Sequence, residues 1–243
     1  MKTRRILNLV LSGLLLLGAV ALAGFARFER EGRRFAALDV AVEEVDGMYL
    51  VDEVSVRNAI VAYDSIRGSF YGDVALDEVA RWVREALPAV RDVRVYPGLN
   101  DHLQVQVTQR RPLARWHQGG EGDCYLDEQG QAMPLSPVFT ARVPVIFADT
   151  EAEALHGFGY LAVLEQSPVW KAFTDGIVVE GTDVELIPRL GGARIALGDL
   201  AQIHTQLDHL NAFYREQIAR GNLNDYQRIS LKYEGQIVAQ RHY

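Results

Sequence analysis

The fold is decided by the stretch at Val90–Trp116, which reads VRDVRVYPGLNDHLQVQVTQRRPLARW. Its first part spaces valines as a strand does and breaks at Pro97-Gly98. From His102 to Thr108 apolar and polar residues alternate strictly, which predicts a second strand with one buried face. Because proline lacks a ladder donor, this strand should end by Arg111-Pro112.

Upstream of this hairpin, the pattern predicts a strand and then a helix. Apolar residues alternate from Leu38 to Val45 and stop at Asp46-Gly47, which favours a turn. Asp52 is suited to cap a helix over Glu53–Tyr63. The expected apolar side of that helix consists of Val56, Ile60 and Val61.

A second helix is predicted between this helix and the hairpin. Asp73 or Asp77 opens it and Pro88 stops it. Its apolar residues recur at helical spacing and are Leu76, Val79, Ala80, Val83 and Leu87. The order predicted over residues 38–110 is therefore β-α-α-β-β.

Beyond Pro112 the pattern changes to short strands with turn signals, which favours a mixed, β-rich domain and an α+β fold class overall. The predicted strands are Leu113–Trp116, Cys124–Leu126, Val143–Phe147, Gly176–Val179, Val184–Ile187, Ala193–Leu197, Tyr226–Tyr233 and Gln236–Gln240. Helices are predicted over Glu151–Glu165 and Asp199–Ala219, and Gly221 ends the second. The expected apolar side of this second helix consists of Leu200, Ile203, Leu207, Leu210, Tyr214 and Ile218.

The N-terminal segment is suited to entering a membrane. Ile6–Phe25 contains 20 residues without a charge, about the length that spans a hydrocarbon core as a helix. A retained anchor with the N-terminus inside is one interpretation. The other is a cleavable signal peptide, since Ala21-Leu22-Ala23 fits a cleavage site. In both interpretations, residues 35–243 are exported across the membrane.

Charge and cysteine content exclude several classes of function. Residues 1–34 hold seven Lys/Arg and two Glu, which leaves 18 basic and 30 acidic residues for the rest of the chain. Such an acidic exported part would be repelled by nucleic acid and by anionic lipid. Cys124 is the only cysteine, so neither an internal disulfide nor a cysteine-based zinc site can form.

The residues that catalysis or metal binding would need do not form recognisable arrangements. The six histidines show no metal-ligand spacing, and no G-x-S-x-G motif supports Ser136 or Ser167 as a nucleophile. Gly157 and Gly159 begin a G-x-G-x-x-A string that lies inside or at the edge of a predicted helix and not after a strand, which indicates packing or a helix kink. Cys124 is expected to be a buried strand residue, and Asp127-Glu128 a solvated pair. Trp82, Trp116 and Trp170 are expected to pack in the core.

Three segments resemble a known family. They are VRDVRVYPGLNDHLQVQVTQRRPLARW at Val90–Trp116, CYLDEQGQAMPLSPVFTARVPVI at Cys124–Ile146 and YQRISLKYEGQIVAQ at Tyr226–Gln240. Together with the N-terminal apolar segment, they resemble the FtsQ/DivIB family of bacterial cell-division proteins. Their amino-acid sequence is most similar to the Bacteroidetes-type members of that family. Asp199 departs from this resemblance, since many relatives carry a basic residue there that contacts a partner.

The resemblance implies an architecture. It consists of a cytoplasmic tail (1–5), a transmembrane helix (6–25), a juxtamembrane linker (26–37), a POTRA domain (38–110) and a β-rich FtsQ-type domain (111–243). It also implies a non-enzymatic divisome scaffold in the inner membrane at the septum, with its C-terminal part in the periplasm. The scaffold would bind FtsB/DivIC-like and FtsL-like proteins and connect early and late division proteins to septal peptidoglycan synthesis. No cofactor, metal or small-molecule ligand is expected.

Two alternatives to this scaffold stay open. One is a periplasmic POTRA-bearing assembly or secretion factor whose signal peptide is cleaved. The other is an envelope glycan enzyme, which would need two carboxyl groups facing each other across a cleft.

The partner site is expected at the C-terminal hairpin. The stretch Gln236–Gln240 has no charge and no proline, so as an outer strand it would leave backbone groups free for a partner strand. The resemblance places the family's partner-binding surface in the same segment. The predicted partner-binding residues are Ser230, Lys232, Tyr233, Gly235, Gln236, Ile237, Val238, Ala239 and Gln240.

Overall fold

The computed structural model describes residues 13–25, 34–63, 74–98, 101–120, 122–233 and 235–242. The chain divides into two compact units. The first unit comprises Met1–Glu44 and Val51–Gln109, and the second comprises Val45–Leu50 and Arg110–Tyr243.

The first unit has a three-stranded sheet and two helices in the order β-α-α-β-β, as the hydrophobic pattern predicts. The elements are β1 (Ala37–Glu43), α2 (Glu53–Tyr63), α3 (Leu76–Ala86), β2 (Val90–Pro97) and β3 (His102–Gln109). The strand order is β1-β3-β2, with β1 parallel and β2 antiparallel to β3.

The two helices of the first unit begin differently. Asp52 caps α2, because its carboxylate accepts a hydrogen bond from the Ser55 backbone N–H at 2.8 Å. The residue before α3 is Ala75, whose side chain makes no cap hydrogen bond. Asp77 lies within the first turn of α3, so the prediction that Asp77 opens this helix is wrong, while Asp73 lies outside the described residues.

The core of the first unit lies between these helices and one face of the sheet. Its fully buried residues include Val56, Ile60, Val79, Val83, Leu103, Val105 and Val107. Two predicted core residues are exposed instead. Val61 is 66% exposed, because it follows Ile60 directly and points away from the sheet. Trp82 is 37% exposed, and its indole N–H donates to the Ala59 carbonyl at 2.9 Å.

The second unit is built on a nine-stranded mixed sheet, with the order β12-β11-β10-β9-β8-β7-β4-β5-β6. Its strands are β4 (Pro112–His117), β5 (Cys124–Asp127), β6 (Ala132–Pro134), β7 (Val145–Phe147), β8 (Thr174–Glu180), β9 (Asp183–Pro188), β10 (Arg194–Ala196), β11 (Tyr226–Ser230) and β12 (Val238–Arg241). Its α-helices are α4 (Glu151–Leu164), α5 (Pro168–Phe173) and α6 (Ile203–Arg220). The three-residue strand β6 and the six-residue helix α5 were not predicted, since elements this short carry little periodicity.

Helix α4 begins at a capping box and lies close to the sheet. Thr150 accepts from the Glu153 backbone N–H, and the Glu153 carboxylate accepts from the Thr150 backbone N–H. Gly157 faces the sheet so closely that a Cβ there would lie 2.8 Å from Val179 Cγ2. The interpretation of Gly157 as a packing residue is therefore correct.

Helix α6 buries one side against the same core and ends at Gly221, which has a φ of 73°. Its buried residues are Ile203, Leu207, Leu210, Tyr214 and Gln217. The prediction that Ile218 belongs to this side is wrong, because Ile218 is 58% exposed. Gln217 is buried in its place, where its side-chain oxygen accepts a hydrogen bond from the Tyr226 hydroxyl at 3.1 Å.

The short segment Val45–Leu50 belongs to the second unit although it precedes most of the first. Asp46 and Gly47 form its turn with φ values of 52° and 74°, as a two-residue turn of this kind requires. The Asp46 carboxylate accepts from Arg111 Nε at 2.5 Å, and the Leu50 carbonyl accepts from the Ser136 hydroxyl at 2.6 Å. These two bonds attach the segment to the second unit.

The N-terminal region contains a helix α1 over residues 13–25, whose residues are exposed. Of the predicted membrane span 6–25, residues 6–12 lie outside the described residues. Among the described helices, none combines the length and the hydropathy needed to cross a membrane.

Candidate partner-binding edge

Strand β12 lies at one end of the nine-stranded sheet and pairs only with β11 among the described strands. The pairing is antiparallel, with Val238 opposite Ser230, Ala239 opposite Ile229 and Gln240 opposite Arg228. The other side of β12 therefore forms an edge of the described sheet. Its residues include no proline, and its only charge is on Arg241.

The backbone groups at this edge can be assigned from two neighbouring hydrogen bonds. The Leu231 N–H donates to the Ala196 carbonyl, so it points away from β12 and towards β10. The His242 N–H donates to the Asp225 carbonyl, so it points towards the β11 side. Because successive N–H groups of a strand point to opposite sides, Val238 and Gln240 face β11. Ala239 and Arg241 direct their N–H and C=O groups outwards.

The side chains of β12 divide between the two faces of the sheet. Ala239 is half-buried and packs against the core of the second unit, as does Ile237 just before the strand. Val238 is 48% exposed on the opposite face, and Gln240 is exposed beside it. A partner strand added to β12 would therefore have apolar side chains beside it on one face of the sheet, and both an apolar and a polar side chain beside it on the other.

The segment that connects β11 to β12 is longer than the predicted turn. Strand β11 ends at Ser230 and β12 begins at Val238, so the predicted strands through Tyr233 and from Gln236 are both too long. The Gln236 N–H donates to the Tyr233 carbonyl at 3.2 Å, and Gly235 has a φ of 65°, which places the turn near the predicted Glu234-Gly235. Glu234 itself lies outside the described residues.

The C-terminal half of the chain matches a known family. The sequence profile described as FtsQ/DivIB, C-terminal related, matches residues 111–240, which is more than half of the chain. The chain belongs to the FtsQ/DivIB family. No curated protein matches it. Membership of the FtsQ/DivIB family supports a role in cell division.

The matched FtsQ/DivIB-related region runs from β4 into β12 and ends at residue 240, so it contains the C-terminal hairpin except for Arg241. All nine predicted partner-binding residues lie within its last eleven matched positions. Ser230 and Val238 to Gln240 lie on the paired strands, whereas Lys232, Tyr233, Gly235, Gln236 and Ile237 lie in the connecting segment. Tyr233 is 59% exposed.

Charges beside the hairpin are mostly paired. Lys232 Nζ lies 2.5 Å from the Asp183 carboxylate, and this hydrogen bond and charge hold the pKa of Asp183 below its usual value. Arg228 pairs with Glu185 across the sheet. Lys232, a predicted partner-binding residue, therefore has an acceptor within the domain already.

A groove lies next to the connecting segment. It has a volume of about 320 Å³ and is lined by the first turns of α6 on one side and by the connecting segment on the other. The α6 residues Thr205, Gln206 and His209 face Tyr233 and Ile237 across it. Helix α6 thus forms one wall of the groove beside the hairpin.

Residues considered for chemistry take structural roles in the FtsQ/DivIB-related domain. Asp127 is buried, which corrects the expectation of a solvated pair with Glu128. Its carboxylate accepts from the backbone N–H groups of Gln129 and Gln131 at 2.9 Å and from Arg110 at 2.7 Å. The sequence signal was the turn Asp127–Gly130, because a turn aspartate commonly binds the next N–H groups.

Cys124 and the two histidines of α6 lie in different environments. Cys124 is half-buried, not fully buried as expected, and burial followed by the charge of Asp123 raises its thiol pKa. His204 and His209 are both exposed on α6. Within the described residues, no three His, Cys, Asp or Glu side chains are grouped to hold a metal ion.

Proposed function

We propose that this chain is a non-enzymatic scaffold of the divisome that binds FtsB/DivIC-like and FtsL-like proteins. In this role it connects early and late division proteins to septal peptidoglycan synthesis. The observation that carries the proposal is the outward-facing edge of β12 within the family-matched domain. An edge with free N–H and C=O groups is suited to β-augmentation by a partner strand.

The partner strand would pair with the outward backbone groups of Ala239 and Arg241. Backbone bonds of this kind give affinity, while side chains on alternate positions give specificity. The exposed Val238 side chain would contact the partner on one face. The groove beside Tyr233 would receive a partner side chain next to the added strand.

The membrane arrangement is part of the same proposal. Residues 1–5 form the cytoplasmic tail, 6–25 the retained transmembrane helix and 26–37 the linker to a periplasmic part at the division septum. The first unit is a POTRA domain, which its β-α-α-β-β order supports. Mass spectrometry of the mature protein tests the anchor, and an N-terminus at Gly24 would contradict it.

The edge is tested most directly by Ala239→Pro. Proline removes the outward N–H of residue 239 but no hydrogen bond to β11, because Ala239 faces away from that strand. The partner carbonyl that would accept from this N–H is then left without a donor in the interface. Such an unpaired acceptor costs about 1–3 kcal/mol, or about a 5- to 150-fold loss of affinity. Calorimetry of the full-length chain with the FtsB/DivIC-like protein of the same organism measures this loss.

Two further variants make the test specific. Ile218→Thr alters an exposed apolar side chain of α6 outside the proposed site and keeps every backbone donor, so affinity should change by less than about threefold. Val238→Pro removes a donor that faces β11, so it should release β12 and destroy the site altogether. Undiminished affinity in a folded Ala239→Pro variant would place the partner elsewhere, and normal septation after depletion would end the divisome proposal.

A further inference from the structure

Strand β2 of the first unit lies at the end of its three-stranded sheet and pairs only with β3 among the described strands. The Gly98 N–H donates to the His102 carbonyl, so residue 98 faces β3. Because successive residues of a strand direct their backbone groups to opposite sides, every second residue before Gly98 also faces β3. Val93 and Val95 therefore direct their N–H and C=O groups outwards, and we refer to this side of the strand as the β2 edge.

Within the described residues, the outward groups of Val93 and Val95 have no hydrogen-bond partner. Pro97 lies at the end of the strand, so it removes neither of these two N–H groups. Strand β1 at the other end of the sheet is less free, because Arg57 of α2 donates to the Leu38 carbonyl at 2.9 Å. An edge with free donors and acceptors can be extended by a further strand.

The β2 edge is positively charged in a chain whose formal charge is −7. Arg91 and Arg94 are exposed on β2, and in the described part of the chain neither side chain has an ion pair or a hydrogen bond. The one carboxylate of the strand, on Asp92, lies 3.4 Å from Arg84 of α3. When this pair is counted as neutral, two uncompensated positive charges remain on the strand.

The other carboxylates on this face of the sheet lie away from the β2 edge. Arg94 is opposite Gln106 of β3, and Gln106 is opposite Ala41 of β1, so this row across the sheet holds no acidic residue. Asp39 and Glu43 lie on β1, two strands and about 10 Å away. Each of them already accepts a hydrogen bond from a side chain of β3. The charge of Arg94 is therefore available to a partner.

The two faces of the sheet differ in polarity beside the β2 edge. Val93 is buried and Val95 is half-buried on the face that carries the helices. Arg94 and Tyr96 are exposed on the other face. A strand added to this edge would have apolar side chains beside it on the helical face, and a cation and an aromatic ring beside it on the other.

We propose that the β2 edge binds an extended acidic segment of a partner protein by β-augmentation. The backbone groups of Val93 and Val95 pair with the segment. Carboxylates at alternate positions of the segment bind the guanidinium group of Arg94, and apolar residues between them lie on the helical face. This edge belongs to the first unit, so the proposal goes beyond the partner site at β12 and does not depend on it.

The test uses the full-length chain in detergent and a fluorescein-labelled peptide of the sequence Gly-Glu-Val-Glu-Val-Glu-Val-Glu-Gly. A neutral peptide carries glutamine in place of every glutamate. A third peptide carries proline in place of every valine, which keeps the charge but removes the N–H groups that would face β2. Fluorescence anisotropy should show the first peptide binding at least about tenfold more tightly than either of the others, and more weakly as salt rises.

Variants of the protein assign the binding to the β2 edge. Arg91→Glu/Arg94→Glu reverses both free charges and should lose at least about tenfold in affinity for the acidic peptide. Arg215→Glu reverses an exposed charge on α6 and should stay within about twofold of the original affinity. Ala239→Pro removes the outward donor of β12 and should also stay within about twofold.

Equal binding of the acidic and the neutral peptide, or of the acidic and the proline peptide, would overturn the proposal. Full binding by the folded double variant would overturn it too. Loss of the acidic peptide by a folded Ala239→Pro variant would place this peptide at β12 instead. The double variant should still bind the FtsB/DivIC-like protein, and loss of that partner would show that the two edges are not separate sites. The comparison of peptides uses the unchanged protein, so it tests the proposal even where a variant fails to fold.

Discussion

Substitution of Gly157 by alanine tests how closely helix α4 lies on the sheet. In an exposed helix interior, this change stabilises a protein by about 1 kcal/mol, because glycine is the more flexible residue when unfolded. At Gly157 the new Cβ would lie 2.8 Å from Val179 Cγ2 and 3.3 Å from Ile146 Cγ2. Both neighbours are buried and branched at Cβ, so neither methyl group can move away without a change of rotamer.

The two effects oppose each other, and the steric effect is the larger. Overpacking of a well-packed core costs about 1–3 kcal/mol. After the gain in helix propensity is subtracted, Gly157→Ala should lower the free energy of unfolding by up to about 2 kcal/mol. Gly159 in the same helix is the matched control, because a Cβ there would meet only the flexible end of Leu200, at 3.3 Å. Gly159→Ala should be neutral or stabilise by up to about 1 kcal/mol.

Urea denaturation of both variants measures the difference. In a Trp82→Phe background the fluorescence comes from Trp116 and Trp170, which are both buried in the second unit. Gly157→Ala should unfold at a lower urea concentration than Gly159→Ala, with a separation of about 1–3 kcal/mol. Equal stabilisation by the two substitutions would refute the close approach of α4 to β8.

Three other predictions concern single side chains. Tyr214→Phe should leave stability at pH 7 unchanged or raise it slightly, because within the described residues the buried hydroxyl has no hydrogen-bond partner. Burial raises the pKa of Tyr214 to about 12, so denaturation at rising pH should also show less loss of stability above about pH 10 in this variant. Asp39→Asn should destabilise the first unit near pH 7 and reduce its loss of stability in acid. A hydrogen bond from His102, and after it one from Gln104, lowers the pKa of Asp39. The Asp39 carboxylate therefore stabilises the fold above about pH 4, and this stabilisation is lost as the pH falls below that value. Denaturation of both proteins across this pH range measures the difference in stability. Cys124 should react with a disulfide reagent at about pH 8 more slowly than free cysteine, because burial raises its pKa.

The sequence predicted the elements whose periodicity is long and regular. Strand β3 alternates over its full length, and every second residue of it is buried. Helix α2 has the predicted bounds because both its cap and its apolar residues are local signals. The mistake at Ile218 has a different origin, since hydrophobicity alone could not reveal that Gln217 is buried with a hydroxyl partner from Tyr226.

The candidate edge likewise rests on a local signal in the sequence. The C-terminal edge could be inferred because β12 follows β11 directly in the chain and nothing charged interrupts it before Arg241.

The segment Val45–Leu50 couples the stability of the two units through the chain itself. Asp46 binds Arg111, which is 65 residues further along, so the second unit closes a loop that contains most of the first. Closing a flexible loop of that length costs about 3–4 kcal/mol. The folded first unit removes most of this entropic cost, because the Val51 N–H donates to the Gln109 side chain at 2.8 Å and holds the loop ends together. Unfolding of the first unit would therefore weaken the second through connectivity alone.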